Sequence, residues 1–397
     1  MHTQLFPGID WVGFVDWNIR DFHSYNTERG ATYNAYLIRD EKIALIDTVK
    51  KAAADTLLKN VSELVDLDKV DYLICNHAEQ DHAGAMAQVV AQMPNVQVIC
   101  SPRCKDILSG YTDTSSWNFR IVANGETISL GENTLTFIHT PMVHWPDSMF
   151  TYVGEKKLLF SMDGFGQHIA SSERFDDEIP LDLLLEEARI YYANIVYPYG
   201  AMVQKVLAAA ADLPIEMIAP SHGLIWRKNI PAIVEAYSRW AAKTAEKKVV
   251  IFYDTMWEST EILAKAIYEG VLSVPGVSCT MTHVRKSTLT EISTAAMDAK
   301  CCALGSATLN GLPTPTIGAV MTYLQGLRFP IQNALAFGSF GWGKNAVDEI
   351  SAWFTKMEWT PIAEPIKCKW RPTQEIIAQC EEAGRQLALK ALEDQTD

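Results

Sequence analysis

The chain has 397 residues, of which 48% are hydrophobic and 21% charged, with a formal net charge of -14. This composition excludes a disordered or fibrous chain and suffices for two or three globular cores; the acidic balance speaks against nucleic acid or an anionic membrane as a partner. No apolar run reaches the ~18 residues of a membrane helix, the opening MHTQLFPGIDWVG lacks a leader pattern, and the eight cysteines form no C-x-x-C pair, so reduced thiols in a cytoplasmic setting are expected.

In chain order, short aliphatic runs alternate with turn residues. Strands are expected at Tyr36–Ile38, Ile43–Ile46, Tyr72–Cys75, Val96–Ile99, Leu135–Ile138, Lys157–Phe160 and Met217–Ala219. Helical periodicity covers Ala83–Gln92 and Leu181–Tyr192. The pattern changes near residue 229. Asn229-Ile230-Pro231 opens a helix running to about Thr244, with proline in its first turn. The fully apolar strand Val249–Tyr253 follows, then a polar loop, the helix Glu261–Val271, and later strands at Cys302–Leu304 and Ala334–Phe337. Strand, loop and helix in that order describe a doubly wound parallel sheet. The predicted domains are therefore 1–246 and 247–397.

The first half concentrates possible metal ligands. His77, Glu79, Asp81 and His82 lie in NHAEQDHAG, between the strand ending at Cys75 and a helix. His144, Asp163 and His222 each follow a predicted strand after a short turn. Each alone reads as a polar turn residue. Together they repeat one arrangement, in which a strand end presents a nitrogen or oxygen donor. Zinc is well served by neutral imidazoles. A set richer in carboxylates is harder and more anionic, and better stabilises Fe(II)/Fe(III).

The second half offers three polar segments after strands. The first is Thr255-Met256-Trp257-Glu258-Ser259-Thr260, whose hydroxyls and helix N-terminus make an anion cradle. The second is Ser306-Ala307-Thr308-Leu309-Asn310-Gly311 and the third Ser339-Phe340-Gly341-Trp342-Gly343. Segments at strand C-termini form the crevice in which open α/β sheets bind ligands. Trp342, between glycines, is suited to lie against an aromatic ring.

The first constellation resembles the metallo-β-lactamase superfamily, an αββα sandwich, with Glu79 replacing the second histidine of H-x-H-x-D-H. The second half resembles flavodoxin, with Glu258 at the glycine of the phosphate loop T-x-T-G-N-T. The combination resembles the flavodiiron proteins, the family of rubredoxin:oxygen oxidoreductase and the flavorubredoxin core. Asp16-Trp17, Arg20-Asp21-Phe22-His23, Thr32-Tyr33-Asn34-Ala35-Tyr36-Leu37, His144-Trp145-Pro146-Asp147-Ser148-Met149, Tyr191-Tyr192-Ala193-Asn194-Ile195 and the GSFGWG segment carry the likeness across nearly the whole chain.

The resemblance implies FMN and an oxygen-bridged pair of irons as cofactors. One iron would take His77, Glu79 and His144, the other Asp81, His82 and His222, with Asp163 between them. His23 and Tyr25 would line the gas pocket. The implied reaction reduces O2 to water, NO to N2O, or both. Electron counting agrees: four electrons for O2 come from two ferrous ions and one reduced flavin, and two suffice for a pair of NO. The resemblance also implies a head-to-tail homodimer, or a dimer of dimers, and an external donor such as rubredoxin or its reductase. From the residues themselves, Asp47 is a candidate to orient a ligand histidine and His168 is expected to be a satisfied surface histidine. His2, His139 and His283 read as structural or exposed. The rival readings are a zinc hydrolase fused to a flavodoxin, and a flavodoxin-type electron carrier with an inert first half. Glu79 opposes the former, and seven candidate ligands oppose the latter.

Overall fold

The computed structural model describes residues 2–23 and 25–393. The chain divides into two compact units, Met1–His23 with Thr27–Ala242, and Ser24–Asn26 with Lys243–Asp397.

The first unit holds two facing sheets. One runs in the order β1 (Thr3–Phe6), β2 (Ile9–Trp11), β3 (Tyr36–Arg39), β4 (Ile43–Ile46), β5 (Val70–Cys75), β6 (Gln97–Cys100) and β7 (Asn118–Ile121), parallel from β4 onward. The other comprises β8 (Thr127–Ser129), β9 (Thr134–His139), β10 (Met149–Val153), β11 (Leu158–Met162) and β12 (Met217–Pro220), with β11 and β12 parallel.

Strand alternation explains the layers. Tyr36, Ile38, Ala44, Ile46, Ile74 and Ile99 point inward against Leu135, Phe137, Leu158 and Phe160 of the second sheet. Leu37, Leu45, Leu73 and Val98 point outward and are covered by the helices Ala54–Ser62 and Met86–Gln92 through Leu57, Val61, Met86 and Val89. These strands are therefore buried on both faces. This is an αββα sandwich, as expected. The helix predicted over Ala83–Gln92 is two pieces, Gln80–Ala83 and Met86–Gln92. Gly84 sits between them, where a Cβ would lie 2.2 Å from the Gln80 carbonyl oxygen and 2.8 Å from the Lys51 amide nitrogen.

The second unit is a sheet in the order β14 (Ser278–His283), β13 (Glu246–Asp254), β15 (Ala299–Leu309), β16 (Asn333–Phe340), all parallel, with Thr360–Pro361 and Ile366–Lys369 pairing β16. The helices Ser259–Leu272 and Gln374–Leu392 cover one face. They approach closely because Gly270 and Gly384 present no side chain at the crossing. The topology is that of flavodoxin, again as expected. Among the described residues no helix is long and apolar enough to cross a membrane.

Candidate metal centre and flavin cradle

Four strand ends converge at one rim of the sandwich. β5 delivers His77 and the turn Glu79–His82, β9 leads through a turn to His144, β11 ends beside Asp163, and β12 ends beside His222. Two groups of donor atoms result, His77, Glu79, His144 and Asp163, and Asp81, His82 and His222; within each, all donors lie within 4.8 Å of one another.

Asp163 faces both groups with different oxygens. Its Oδ2 lies 3.2 Å from His144 Nε2 and 3.6 Å from His77 Nε2. Its Oδ1 lies 3.0 Å from His82 Nε2 and 3.5 Å from His222 Nε2. Glu79 Oε2 completes the first group, 3.1 Å from His77 Nε2 and 3.3 Å from His144 Nε2. Asp81 Oδ2 completes the second, 3.1 Å from His222 Nε2 and 3.4 Å from His82 Nε2. Donors bound at ~2.1 Å around one ion are separated by roughly 3.0–3.5 Å, so the spacing fits a metal in each group.

The orientation of these atoms carries more weight than their proximity. Both oxygens of Asp81 and Asp163, and His82 Nε2, are buried with no geometrically sound hydrogen bond among the described residues. Buried polar atoms are rarely left so. Their lone pairs are aimed at shared space, as ligands to cations are.

The charge balance points the same way. Burial opposes ionisation of Glu79 and Asp163, but the surrounding imidazoles overcome it and hold both carboxyls below the usual carboxylate range. Burial likewise disfavours a charged His77, yet Asp147 and Glu79 raise it well above an ordinary imidazole. Against the same burial penalty, Asp81 and Asp163 push His82 up to about 9. The carboxylates thus demand positive charge in this rim, and metal ions would replace protons in supplying it.

The supporting contacts set the rings. The Asp147 carboxylate lies 3.2 Å from His77 Nδ1 and accepts from the Ala78 amide at 2.7 Å. The Thr32 carbonyl lies 2.7 Å from His222 Nδ1. These leave Nε2 of both rings to the centre. Asp147 was missed as a supporting residue; its place three residues after His144 was the available signal. Asp47, expected to orient a ligand histidine, instead accepts from the backbone and side-chain amides of Asn76 at 2.7 and 2.8 Å. It fixes the chain entering the His77 turn rather than a ring.

His168 is corrected too. It is fully buried, edge-on to Phe22, Tyr191 and His222 at centroid distances of 4.9, 5.0 and 4.8 Å. Burial and the neighbouring His222 hold it well below an ordinary imidazole. His23 reaches the centre, with Nε2 3.0 Å from Glu79 Oε1. Tyr25 is buried in a segment that groups with the second unit.

In that unit the three predicted segments lie at the ends of adjacent strands. The first follows β13 and leads into the helix at Ser259, whose N-terminus has no side-chain cap. Its first amides are unsatisfied within the helix. Thr255 Oγ1 is buried and has no hydrogen-bond partner among the described residues. An orphaned hydroxyl beside an uncapped helix start is what a phosphate group requires. Glu258 occupies the left-handed region at φ 68°, the conformation a glycine would favour, and it is exposed.

The second segment differs from expectation. β15 continues to Leu309, so Ser306, Ala307 and Thr308 belong to the strand; Asn310 and Gly311 form the turn of a hairpin with Leu312–Pro313. Ser306 Oγ receives the Thr314 amide, and Thr308 Oγ1 receives the Ala346 amide and donates to the Ser339 carbonyl. These hydroxyls brace the crevice. Thr260 and Ser339 join their hydroxyls at 2.8 Å. Trp342 is 81% exposed, and its ring lies 5.8 Å from that of Trp370, another exposed aromatic that sequence reading passed over.

The sandwich with a two-group rim and the parallel sheet with an uncapped crevice define a class, a β-lactamase-type metal domain joined to a flavodoxin. Comparison with known proteins agrees. The ODP family beta lactamase profile matches residues 31–223 and the flavodoxin profile residues 251–384. A nitric oxide reductase of Moorella thermoacetica is 42% identical over 393 residues, covering 98% of both chains. Rubredoxin oxygen:oxidoreductase from Desulfovibrio gigas superposes with a TM-score of 0.95 at 36% identity, covering 98% of each chain. The flavodiiron protein of Giardia intestinalis gives 0.95 at 34% identity, covering 99% of this chain and 97% of its own. The chain belongs to the flavodiiron protein family, whose members are oxidoreductases.

Proposed function

We propose that this protein reduces nitric oxide, dioxygen or both at a pair of irons held by the rim of its first unit, with FMN bound by its second. His77, Glu79 and His144 would hold one iron and Asp81, His82 and His222 the other, with one Asp163 oxygen on each. When bound, the two irons and the flavin supply the electrons for the reduction. The division of the rim by the two Asp163 oxygens carries this reading.

The chain's own residues have separable tasks. Asp147 and the Thr32 carbonyl orient His77 and His222. The His168 ring, neutral and buried, shields the His222 side of the centre from water together with Phe22 and Tyr191. His23, 60% exposed in its side chain, contacts Glu79 from the open side and stands where a small gas would enter. Thr255, Thr260 and the start of the helix at Ser259 would receive the FMN phosphate, and Trp342 would face the flavin ring. A head-to-tail dimer, with each flavin serving the partner's irons, and a rubredoxin-like donor complete the proposal. The names nitric oxide reductase and rubredoxin oxygen:oxidoreductase, borne by two relatives, support it.

The test is anaerobic reduction of metal-assayed protein followed by mixing with NO and with O2 in parallel. Wild-type protein should turn over at least one gas, and His77→Ala should lose turnover and iron while keeping FMN. Full activity in that variant would remove His77 from the centre.

A further inference from the structure

The helix Gly200–Ala210 lies over the outward face of the second sheet and leaves a cavity of about 260 Å³ beneath it. Ile138, Phe150 and Leu159 form its sheet wall, and Met202, Val206 and Leu213 the other side. Two residues of the lining have a buried polar side-chain atom with no hydrogen-bond partner among the described residues, Thr140 (Oγ1) and His139 (Nε2). Thr140 is fully buried. Alternation along the strand puts Thr140 on the same face as Ile138.

A water would be a poor partner for the Thr140 hydroxyl, since a buried water needs two to four polar contacts and most of this lining is apolar. Lys205 borders the same cavity, is exposed, and makes no ion pair among the described residues. The cavity thus combines an apolar bed, the buried Thr140 hydroxyl, the His139 ring nitrogen, and the Lys205 ammonium, which has no ion pair among the described residues.

We propose that this cavity binds a monocarboxylate with an apolar tail of medium length. The tail lies against Phe150 and Leu159, and the carboxylate accepts from Thr140 Oγ1 and faces the Lys205 ammonium. An alkylammonium could donate to Thr140 Oγ1 but would meet the like charge of Lys205, and a neutral alkane would satisfy neither polar group. The site also touches the turn that carries His144, because the Thr140 carbonyl accepts from the Val143 amide at 3.1 Å. The inference does not depend on the proposed metal centre.

Calorimetric titration of the purified holoprotein with sodium octanoate tests it, with octylamine and acetate as comparisons. Octanoate should bind saturably, and acetate and octylamine should not. Thr140→Val and Lys205→Glu should each weaken octanoate about tenfold. Ala210→Phe, which fills the cavity, should abolish binding while flavin absorbance and melting temperature match the wild type. Lys205 lies at the surface, so Lys205→Glu remains informative if the filled variant fails to fold. Absence of saturable heat into the millimolar range, octylamine binding as tightly as octanoate, or undiminished binding in Lys205→Glu would overturn the proposal.

Discussion

The two candidate sites are built in opposite ways. In the first unit the donors are buried side chains: six of the seven candidates are at most 9% exposed, and the His144 side chain is 11% exposed. In the second unit the task falls to backbone amides, one orphaned hydroxyl and aromatic rings standing in solvent, with Trp257 88% and Trp342 81% exposed. A small multivalent cation needs donors fixed to within tenths of an ångström. A large planar cofactor brings its own surface and needs an edge to lie against. Changes should therefore act sharply in the first site and by degrees in the second.

The largest effect should follow from removing the shared carboxylate. In Asp163→Ala both groups lose a donor, and His82 and His144 lose their closest carboxylate, so iron should fall well below two per chain and gas reduction should drop to the level of chelator-treated protein. Metal analysis with paired turnover assays checks this. An Asp163→Ala protein retaining two irons would dissolve the contrast between the sites. Chelation of wild-type protein should also lower the melting temperature of the first unit by several degrees, because an ion that binds only the folded state contributes its binding energy to folding.

Asp147 and Asp47 sharpen the comparison within the first unit. Both are buried carboxylates near the centre, but Asp147 holds the His77 ring together with the Ala78 amide, whereas Asp47 holds only the two amides of Asn76. Asp147→Ala should weaken iron binding about 10–100-fold, the usual effect of losing the group behind a ligating histidine. Asp47→Ala should instead destabilise the fold by roughly 1–3 kcal/mol through two orphaned Asn76 donors, with iron stoichiometry retained in the protein that folds. Iron dissociation rates and denaturant midpoints separate the two.

The seven convergent residues were legible in the sequence because each follows a strand, and the end of a strand is a local property. What lay beyond was non-local. Asp147 supports His77 across 70 residues, through the facing of two sheets that no spacing encodes. His168 reads as a surface residue in the sequence, and only the packing of Phe22 and Tyr191 buries it. The strand continuing through Ser306–Thr308 was read as loop because its residues are small and polar. Its hydroxyls are occupied by Thr314 and Ala346, partners fixed by how the crevice closes.

In the second unit, Trp342→Ala should weaken FMN by about 1–3 kcal/mol, the usual worth of stacking a base-like ring on an aromatic. Trp370→Ala should cost less, since that ring touches Trp342 and only steadies it. Flavin release measured by fluorescence orders the two. A larger loss for Trp370 would mean that the flavin rests on Trp370 instead.

The smallest expected change concerns Glu258, where two opposing terms can be told apart. A glutamate at φ 68° carries strain of roughly 1 kcal/mol that glycine would relieve. Glycine also brings more unfolded-state entropy, and an exposed carboxylate at a helix start stabilises that helix by about 0.3–1 kcal/mol. In the flavin-free protein these offset, and Glu258→Gly should leave stability nearly unchanged. With FMN bound the balance shifts, because the carboxylate then stands near a phosphate of the same sign, worth about 1 kcal/mol in a solvent-exposed setting. The variant should bind FMN about fivefold more tightly at low ionic strength, and the advantage should shrink as salt screens the pair. A gain independent of salt would mean that seating FMN adds backbone strain at Glu258, and no gain would mean that the Glu258 side chain turns away from the phosphate once the flavin is seated.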